Sequence, residues 1–571
     1  MKHFWLFSLL LATVVCAAQA PVPELPQLLI DTTFSPLAGK SHKVRTSDEL
    51  KTALETAVPG DTIVLDANAT FTGNFTLPAK PNPGKQWIYL VSSQLASLPV
   101  EGARVNPDTD AAHMPKLVTP NAQATLNLPP GANHYRLAGL EVSSSSNEGC
   151  GRNSGSSQNC FSYQLISAAS VPGSPLVDSV VVDRCYIHGS PTQDVRRGVQ
   201  ANGSNFAVVD SYISDIHHGT NDSQAIAAWF SPGPIKIANN FLSATTEDVL
   251  FGGAGGLDNP WVPSDIEVRG NHFFKSPDWA QVGVTLPPKN QWVVKNHLEF
   301  KSARRALVEG NLLENLWVSG QSGVSVLLTP RTNQSGNLGV VNDITVRGNV
   351  LRNVVSGFVV LPWDNACIAE KGCTNRGETR RVKIENNLIV FRDPKLPGGA
   401  NNIGILILRE TADLVFQHNT VMPSPGSSAC NAAVYFDAGG KGLPSPPVSL
   451  TQNVWILDNI LCRQPNGPAG SGTAALNVYM PDPAPLPLRF SGNVMVVGPG
   501  EKEQSFPPNN LVTDKELRLP DASSDSRKGF PIWTKTSNGK PAGADRAALE
   551  AAIAADSGSK AVPLSSGHPT N

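Results

Sequence analysis

The sequence predicts an all-β protein that folds as a parallel β-helix solenoid, and two repeated patterns support this prediction. A short phrase, apolar-x-apolar-x-x-Asn-apolar, returns at intervals of 31 to 40 residues, usually with Gly, Asn or Asp just before its key Asn. A second, largely apolar run occurs once in each interval and stays in step along the chain. Such repetition is typical of solenoids, in which each coil packs on its neighbours.

The first pattern predicts a strand followed by a sharp corner. Its clear copies are residues 235–241, 266–272, 306–312, 344–350, 382–388 and 454–460. Alternating apolar residues indicate a strand with one buried face, and a following Gly or Asn permits the positive φ of a corner. An Asn at the same corner of every coil can stack its amide on the copies above and below. We expect about ten to twelve coils and an internal ladder of Asn240, Asn271, Asn311, Asn349, Asn387 and Asn459.

The second pattern predicts another set of stacked strands, one for each Asn phrase. Its runs are residues 224–230, 248–251, 296–302, 323–329, 357–363, 403–409, 432–437 and 474–479. Because stacked parallel strands lie about 4.8 Å apart, residues at similar points of successive runs should project side by side on one outer face.

Length and composition agree with a solenoid. A single globular core stops growing at about 250–300 residues, whereas this chain has 571 residues with 49 Gly and 47 Pro to form corners. We assign the solenoid to residues 40–500 and expect a monomer. Charged residues make up only 16% and the formal net charge is -2. This balance gives neither the basic field of a nucleic-acid-binding protein nor a polybasic membrane patch.

The first 20 residues have the pattern of a secretory signal peptide. Lys2 and His3 precede an apolar run over residues 4–15, and small residues follow at 16–20. The run is too short to span a bilayer, and no later segment could do so. We expect cleavage after Ala18 and a secreted or periplasmic protein.

The solenoid begins with a capping helix. Thr46 and Glu49 have the spacing of a capping box, Pro59-Gly60 ends the helix, and residues 61–65 begin the first strand. Such a helix closes the open end of the core.

Export would permit disulfides. Residues 143–162 form a Ser/Gly/Asn-rich loop that contains two of the cysteines, and Cys185 is the expected buried free thiol. The pairs predicted from spacing are Cys150–Cys160, Cys367–Cys373 and Cys430–Cys462.

Residues 501–571 form a Pro/Ser-rich tail with a short helix candidate at 547–555. We expect this tail to pack over the late coils.

The candidate catalytic residues lie at the end of one apolar run and after the next. Leu298 and Phe300 would point into the core, so Glu299 and Lys301 share the outer face, about 7 Å apart. One coil on, Arg331 should project beside Lys301. A base flanked by cations, with a further cation to neutralise developing charge, suits β-elimination on a uronic-acid polymer. In the alternative interpretation, Glu299, Lys301, Arg304 and Arg305 form only a solvated charged face.

These three residues receive separate roles in this hypothesis. Lys301 is the base, and Arg331 is the charge-neutralising or proton-donating partner. Glu299 orients Lys301 or binds a cation.

Four further residues are predicted to bind substrate. Arg196 or Arg197 would hold a flanking carboxylate, although either could instead pair with a nearby aspartate. Gln224 and Trp279 would contact the sugar chain.

Glu247 and Asp248 are the candidate metal ligands. Their carboxylates suit Ca²⁺, and no other cofactor is predicted.

The chain resembles known families at two levels. The helix followed by the "PGDTI" strand at 59–63 resembles the N-terminal cap of polysaccharide lyase family 6, the alginate lyase and chondroitinase B group. In that family a Lys followed by Ser is the base and an Arg on the next coil assists, as Lys301-Ser302 and Arg331 would. Arg331 is not followed by the family's His-Gly, and the family's calcium-binding carboxylates are not reproduced around Glu299. Residues 40–500 as a whole resemble secreted bacterial right-handed parallel β-helix repeat proteins of the pectate-lyase-like superfamily.

Two functions therefore remain open from the sequence. One is a lyase that cleaves a uronic-acid-containing polysaccharide; the other is a non-catalytic carbohydrate-binding or cell-surface interaction protein. A mixed acid–base cluster on the outer face of the second strand set would favour the lyase, whereas an aromatic and polar strip would favour the binding protein.

Overall fold

A computed structural model describes most of the chain. The described residues are 20–35, 37–145, 162–191, 194–219, 221–253, 260–280, 292–331, 339–363, 377–398, 402–408, 410–424, 427, 430–437, 452–463, 489–496, 509–513, 541–545 and 549. The expected signal peptide, the pairs Cys150–Cys160 and Cys367–Cys373, the run at 474–479 and most of the C-terminal helix candidate lie outside them. No helix in the described part of the chain is long and apolar enough to cross a membrane.

The described residues form a right-handed parallel β-helix with three long sheets, here called A, B and C, whose strands are numbered in chain order. Sheet A contains β1 (Ser41–Val44), β2 (Thr62–Leu65), β5 (Ile88–Ser92), β8 (Asn133–Ala138), β11 (Asp178–Asp183), β14 (Ser204–Val209), β17 (Ile235–Ala238), β20 (Ser264–Arg269), β23 (Ala303–Glu309), β26 (Val340–Arg347), β29 (Glu378–Glu385), β32 (Ala412–Gln417), β35 (Gln452–Leu457) and β37 (Arg489–Ser491).

Sheet B follows sheet A in every coil. It contains β3 (Thr70–Thr72), β6 (Lys116–Thr119), β9 (Glu141–Ser144), β12 (Tyr186–His188), β15 (Tyr212–Ile216), β18 (Phe241–Ala244), β21 (His272–Phe274), β24 (Leu312–Glu314), β27 (Val350–Val354), β30 (Leu388–Phe391), β33 (Thr420–Met422), β36 (Ile460–Leu461), β38 (Val494–Val496) and β39 (Leu511–Thr513).

Sheet C holds the second apolar runs. It contains β4 (Phe75–Thr76), β7 (Leu126–Leu128), β10 (Ile166–Ala169), β13 (Arg197–Asn202), β16 (Gln224–Ala228), β19 (Glu247–Phe251), β22 (Asn296–Phe300), β25 (Val326–Leu328), β28 (Ser356–Val360), β31 (Ile403–Leu408) and β34 (Ala432–Asp437). Among the described residues, sheets A and B contain 14 strands each and sheet C contains 11. Eleven coils therefore have a strand in all three sheets, within the expected ten to twelve.

The corner between sheets A and B is short because its first residue adopts a left-handed backbone. This residue is the one before the key Asn, as the sequence pattern predicts: φ is +55° at Asn239, +62° at Gly270 and +67° at Gly310. Gly and Asn reach this region with little strain.

The predicted Asn ladder is confirmed. Each key Asn donates its side-chain Nδ2 to the Oδ1 of the Asn one coil on, at 3.0 Å from Asn240 to Asn271 and 2.9 Å from Asn311 to Asn349. The same Oδ1 also accepts the backbone N–H of the preceding Asn. The complete ladder is Asn240, Asn271, Asn311, Asn349, Asn387, Asn419, Asn459, Asn493 and Asn510.

The N-terminal end of the core is closed by helix α1 (Ser47–Thr56). Its capping box is present as predicted, with Thr46 accepting from the Glu49 backbone N–H, and Leu50 and Leu54 are buried against the first coils. The sequence did not reveal β1, which precedes the helix and pairs with β2. The other helices with bounds in the described part of the chain are short: α2 (Pro107–Asp110) and three 3₁₀ turns at Leu95–Ser97, Ala111–His113 and Pro277–Trp279.

Residues 20–35 form an extended strap across the outer face of sheet A. The Glu24 N–H donates to Asp343 on β26 at 3.2 Å, and the Gln27 N–H donates to Asp265 on β20 at 2.8 Å. At the far end, Arg136 on β8 donates to the carbonyl of Thr32 at 2.7 Å. The contacts reach from β26 to β8, which are six strand spacings or about 29 Å apart, close to the length of nine extended residues.

The late coils are held by a disulfide and by the tail. Cys430 and Cys462 form the predicted disulfide, with S–S 2.02 Å, and Cys185 is the predicted buried free thiol. In the described part of the tail, Ala542, Ala544 and Leu549 pack on the outer face of sheet B.

Candidate active site

Two rows of side chains line the outer face of sheet C where β13, β16, β19 and β22 lie side by side. In the first row Arg197 pairs with Gln224, Gln224 with Glu247, and Glu247 with Asn296. The second row contains Ala227, Leu250 and Glu299. Because these residues are in register, they lie along the solenoid axis, about 4.8 Å apart from one coil to the next.

The two rows are joined by hydrogen bonds. Gln224 donates its Nε2 to Glu247 Oε2 at 2.8 Å. Asn296 donates its Nδ2 to Gln321 Oε1 at 3.0 Å and, more weakly, to Glu299 Oε2 at 3.4 Å. The amides of Gln224 and Asn296 therefore hold the two carboxyl groups in place.

Glu299 and Lys301 form the acid–base pair of this surface. The Lys301 Nζ lies 3.6 Å from Glu299 Oε1, and the Glu299 side chain is only 4% exposed. Burial raises the pKa of Glu299 to about 7; the nearby Lys301 cation opposes this rise and the Glu247 carboxylate adds to it. Glu299 can therefore gain or lose a proton near neutral pH.

Cations surround the two carboxyl groups. Lys295 makes an ion pair with Asp222, and the attraction of Asp222 and Glu247 outweighs burial and raises the pKa of Lys295. The Arg197 guanidinium lies over the Trp229 ring, 4.7 Å from its centre. Burial, together with the neighbouring Arg196, lowers the pKa of Arg197 to about 10.

Lys301 and Arg331 lie in consecutive coils, as the sequence predicts. The Arg331 N–H donates to the Lys301 carbonyl at 2.8 Å. The aliphatic part of the Lys301 side chain lies over Gly253, where a methyl group would collide with it. The missing side chain at Gly253 thus makes room for Lys301.

Three polar atoms in the first row are buried and have no hydrogen-bond partner. They are Arg197 Nε, Gln224 Oε1 and Glu247 Oε1. Buried polar groups are nearly always paired, so these atoms are available to a polar ligand, an ion or water.

The structure separates the two predicted metal ligands. Glu247 lies in the outer row, whereas Asp248 is fully buried inside the coil, where it contacts Lys275 at 3.1 Å and His297 at 2.6 Å. The two carboxyl groups point to opposite sides of sheet C and do not face one shared ion. Among the described residues, no group of three or more His, Cys, Asp and Glu side chains could hold a metal.

The other predicted substrate-binding residues are placed differently. Arg196 reaches the start of the neighbouring strand, with its Nε 3.3 Å from the Asp222 carbonyl. Trp279 packs edge-on against His217, whose ring stacks on Trp292 at 3.7 Å. The structure therefore places Trp279 in an aromatic group with His217 and Trp292.

Sequence reasoning gave no role to Asn296, Lys295 or Gln321, although all three contribute to the cluster. Asn296 occupies the first position of its run, as Gln224 does in an earlier coil. That shared position was the available signal, but unequal intervals between runs hid the register.

Comparisons with known proteins find similar solved structures at low sequence identity. No protein-family model matches the chain, and no curated protein matches it. The chain is similar to an alginate lyase from Paenibacillus sp. str. FPU-7, with 14% identity over 68% of this chain and 94% of that one and a TM-score of 0.35. It is also similar to the PL6 family alginate lyase AlyGC, with 14% identity over 84% of this chain but only 54% of that one and a TM-score of 0.45. The chain is also similar to pectate lyase Pel9A, with 10% identity over 72% of this chain and 83% of that one and a TM-score of 0.36.

Proposed function

We propose that this protein is an exported polysaccharide lyase that cleaves a uronic-acid-containing polymer by β-elimination. The observation that carries the proposal is the mixed acid–base cluster on the outer face of sheet C, centred on Glu299 and Lys301. A protein that only binds carbohydrate needs aromatic and polar contacts but no buried carboxyl group with a pKa near 7 beside an amine. The cluster therefore favours an enzyme over a binding protein.

The charge of the cluster favours an anionic substrate. At and beside the cluster, the described residues supply the cations Arg196, Arg197, Lys295, Lys301 and Arg331 and the acidic groups Asp222, Glu247 and Glu299. Five cations against three acidic groups leave a positive excess, which grows when Glu299 is protonated. Such a surface attracts a polymer that carries carboxylates.

The shape of the cluster suits a linear polymer. Arg197 on β13 and Glu299 on β22 are separated by three strand spacings, or about 14 Å along the solenoid axis. A sugar chain lying along this axis could place one carboxylate at Arg197 while an adjoining sugar reacts at Lys301.

The Glu299–Lys301 pair supplies the proton acceptor. Glu299 Oε1 lies 3.6 Å from Lys301 Nζ and orients the amine towards the substrate. The neutral Lys301 amine then removes the proton next to the substrate carboxylate. The electron pair forms the new C=C bond, the glycosidic C–O bond breaks, and the departing oxygen takes up a proton from water. Arg331 neutralises the charge that develops on the carboxylate.

A calcium ion would fit only part of this surface. The unpaired oxygens Gln224 Oε1 and Glu247 Oε1 are ligands that Ca²⁺ accepts, but Ca²⁺ takes six to eight oxygens in total. When bound there it would supply positive charge to the substrate carboxylate. Asp248 would not take part, because Lys275 and His297 occupy its carboxyl group.

The test is ultraviolet absorbance of new unsaturated ends with alginate, pectate and glycosaminoglycans, each with and without calcium. We expect absorbance to rise with at least one polymer, and Lys301→Ala to lower the rate by about 10²–10⁴-fold with little change in thermal stability. Retention on these polymers without unsaturated ends would show a binding protein instead. Full activity of Lys301→Ala would remove Lys301 from the mechanism.

A further inference from the structure

A second polar cluster lies inside the solenoid, directly behind the candidate active site. It consists of Asp248, Lys275 and His297, whose side chains are all fully buried. Lys275 Nζ is 3.1 Å from Asp248 Oδ1, and His297 Nδ1 is 2.6 Å from Asp248 Oδ2. We call these three residues the inner cluster.

The inner cluster closes the corner between sheets B and C. Lys275 donates to the carbonyl of Ala244 at 2.6 Å and lies 3.3 Å from that of Thr246. Asp248 Oδ1 also accepts the Ala244 N–H at 2.7 Å. The end of β18, the two-residue corner and the start of β19 are therefore fixed by one lysine and one carboxylate.

The same cluster joins β19 to β22. Asp248 is next to Glu247 in β19, and His297 is next to Asn296 in β22, so their contact links the two strands from inside. On the outside, the same two strands carry Glu247, Asn296 and Glu299. A shift of either strand would therefore separate groups of the candidate active site.

The inner cluster lies in the same coils as Glu247 and Glu299 of the candidate active site. The residues stacked at this inner position of sheet C in successive coils are Gly198, Ala225, Asp248, His297, Ser325, Gly357, Gly404 and Ala433. In this column only the coils of β19 and β22 have a titratable side chain. These are the coils that carry Glu247 and Glu299 on the outer face.

Stability alone does not explain such a cluster. Taking an ammonium and a carboxylate out of water costs several kcal/mol per ion, and replacing a buried ion pair with apolar residues is often neutral or stabilising. In agreement, burial lowers the pKa of Lys275 even though Asp248 opposes this change. A small residue, as in the other coils, would fill the position without this cost.

We propose that Asp248, Lys275 and His297 are positioning residues that hold β19 and β22 in the geometry that brings Glu247, Asn296 and Glu299 together. The catalytic consequence rests on the proposed function, whereas the geometric consequence stands without it. Because a displacement of about 1 Å can cost about 10²-fold in rate, loss of the inner cluster should reduce turnover without removing any group that contacts substrate.

The test uses the uncharged double variant Asp248→Asn/Lys275→Met, since Lys275→Met alone leaves a buried carboxylate without its cation. The amide oxygen introduced by Asp248→Asn can still accept the Ala244 N–H, so the coil should fold. The matched control is Phe358→Leu, which perturbs the core of the same sheet at β28. We expect kcat of the double variant to fall at least 10-fold with little change in KM, and the control to keep its kcat.

A crystal structure of the double variant is the readout that does not depend on activity. We expect the Gln224–Glu247 hydrogen bond and the Glu299–Lys301 contact to be lost or lengthened. Unchanged contacts, or a kcat loss no larger than that of Phe358→Leu, would overturn the positioning role. If the natural protein cleaves no uronic-acid polymer, the proposed function fails, and the crystal structure still decides this inference.

Discussion

Removing one side chain from the Asn ladder should weaken the solenoid by several kcal/mol. Asn311 Nδ2 donates to the Val268 carbonyl and to Asn349 Oδ1, both at 2.9 Å. Its Oδ1 accepts two N–H groups of Asn271, from the backbone at 2.9 Å and from the side chain at 3.0 Å. Asn311→Leu would leave three buried groups without these partners: the Val268 carbonyl and both Asn271 donors. At about 1–3 kcal/mol for each unsatisfied group, the expected loss is at least about 3 kcal/mol.

Denaturant unfolding combined with amide hydrogen exchange measures this loss. The Asn271 backbone N–H should exchange faster in Asn311→Leu, whereas coils near α1 should change little because each coil contacts only its neighbours. Asn68→Leu, at an exposed position, is the control for the loss of one Asn. A destabilisation below about 1 kcal/mol, or unchanged exchange at Asn271, would refute the view that the ladder side chains satisfy buried groups.

Two further predictions concern a buried ion pair and a glycine. Glu314 contacts His272 at 3.0 Å and Arg352 at 2.6 Å; burial opposes its charged form, but these partners outweigh burial and lower its pKa from 4.5 to about 2. The stabilising effect of the Glu314 carboxylate is therefore complete above pH 4.5 and is lost as the pH falls towards 2. Glu314→Gln should lower the melting temperature at pH 7, and its melting temperature should differ less from that of the natural protein near pH 2. An equal difference in melting temperature at both pH values would contradict this. Gly253→Ala should reduce the proposed lyase activity by displacing Lys301. Gly102→Ala, at a residue with a similar positive φ but nothing within 4 Å, should cause only backbone strain. Equal activity of the two glycine variants would show that Gly253 does not position Lys301.

The sequence predicted what depends on local periodicity. Alternation placed Glu299 and Lys301 on one face, and the Asn phrase predicted the ladder, because both follow from a repeat that each coil satisfies by itself. Alternation did not predict the position of Asp248, because Asp248 and Val249 both face inward. The alternation is interrupted between Glu247 and Val249, where the strand pairing also skips one position. No particular residue type marks this interruption, so the sequence did not reveal that the side chains of Glu247 and Asp248 would lie on opposite sides of sheet C.

The residues that join distant coils could not be predicted either. The ion pair between Lys295 and Asp222 spans 73 positions along the chain, and its formation depends on loop lengths that periodicity does not contain. Residues 20–35 show no alternation that would predict an extended strap. Their contacts are made largely by backbone groups, which every residue type has, so these contacts leave no pattern in the sequence.

The strap also constrains the order in which the protein folds. Glu24 is made early in synthesis, yet its partner Asp343 lies 319 positions later. Coils can stack one after another as they emerge, because their contacts are mostly between neighbours. The strap cannot dock fully until β26 has been synthesised, so residues 20–35 are among the last described residues to reach their final position although they are synthesised early. Closing such a distant contact is slow, and during that time the outer face of sheet A is open to other chains.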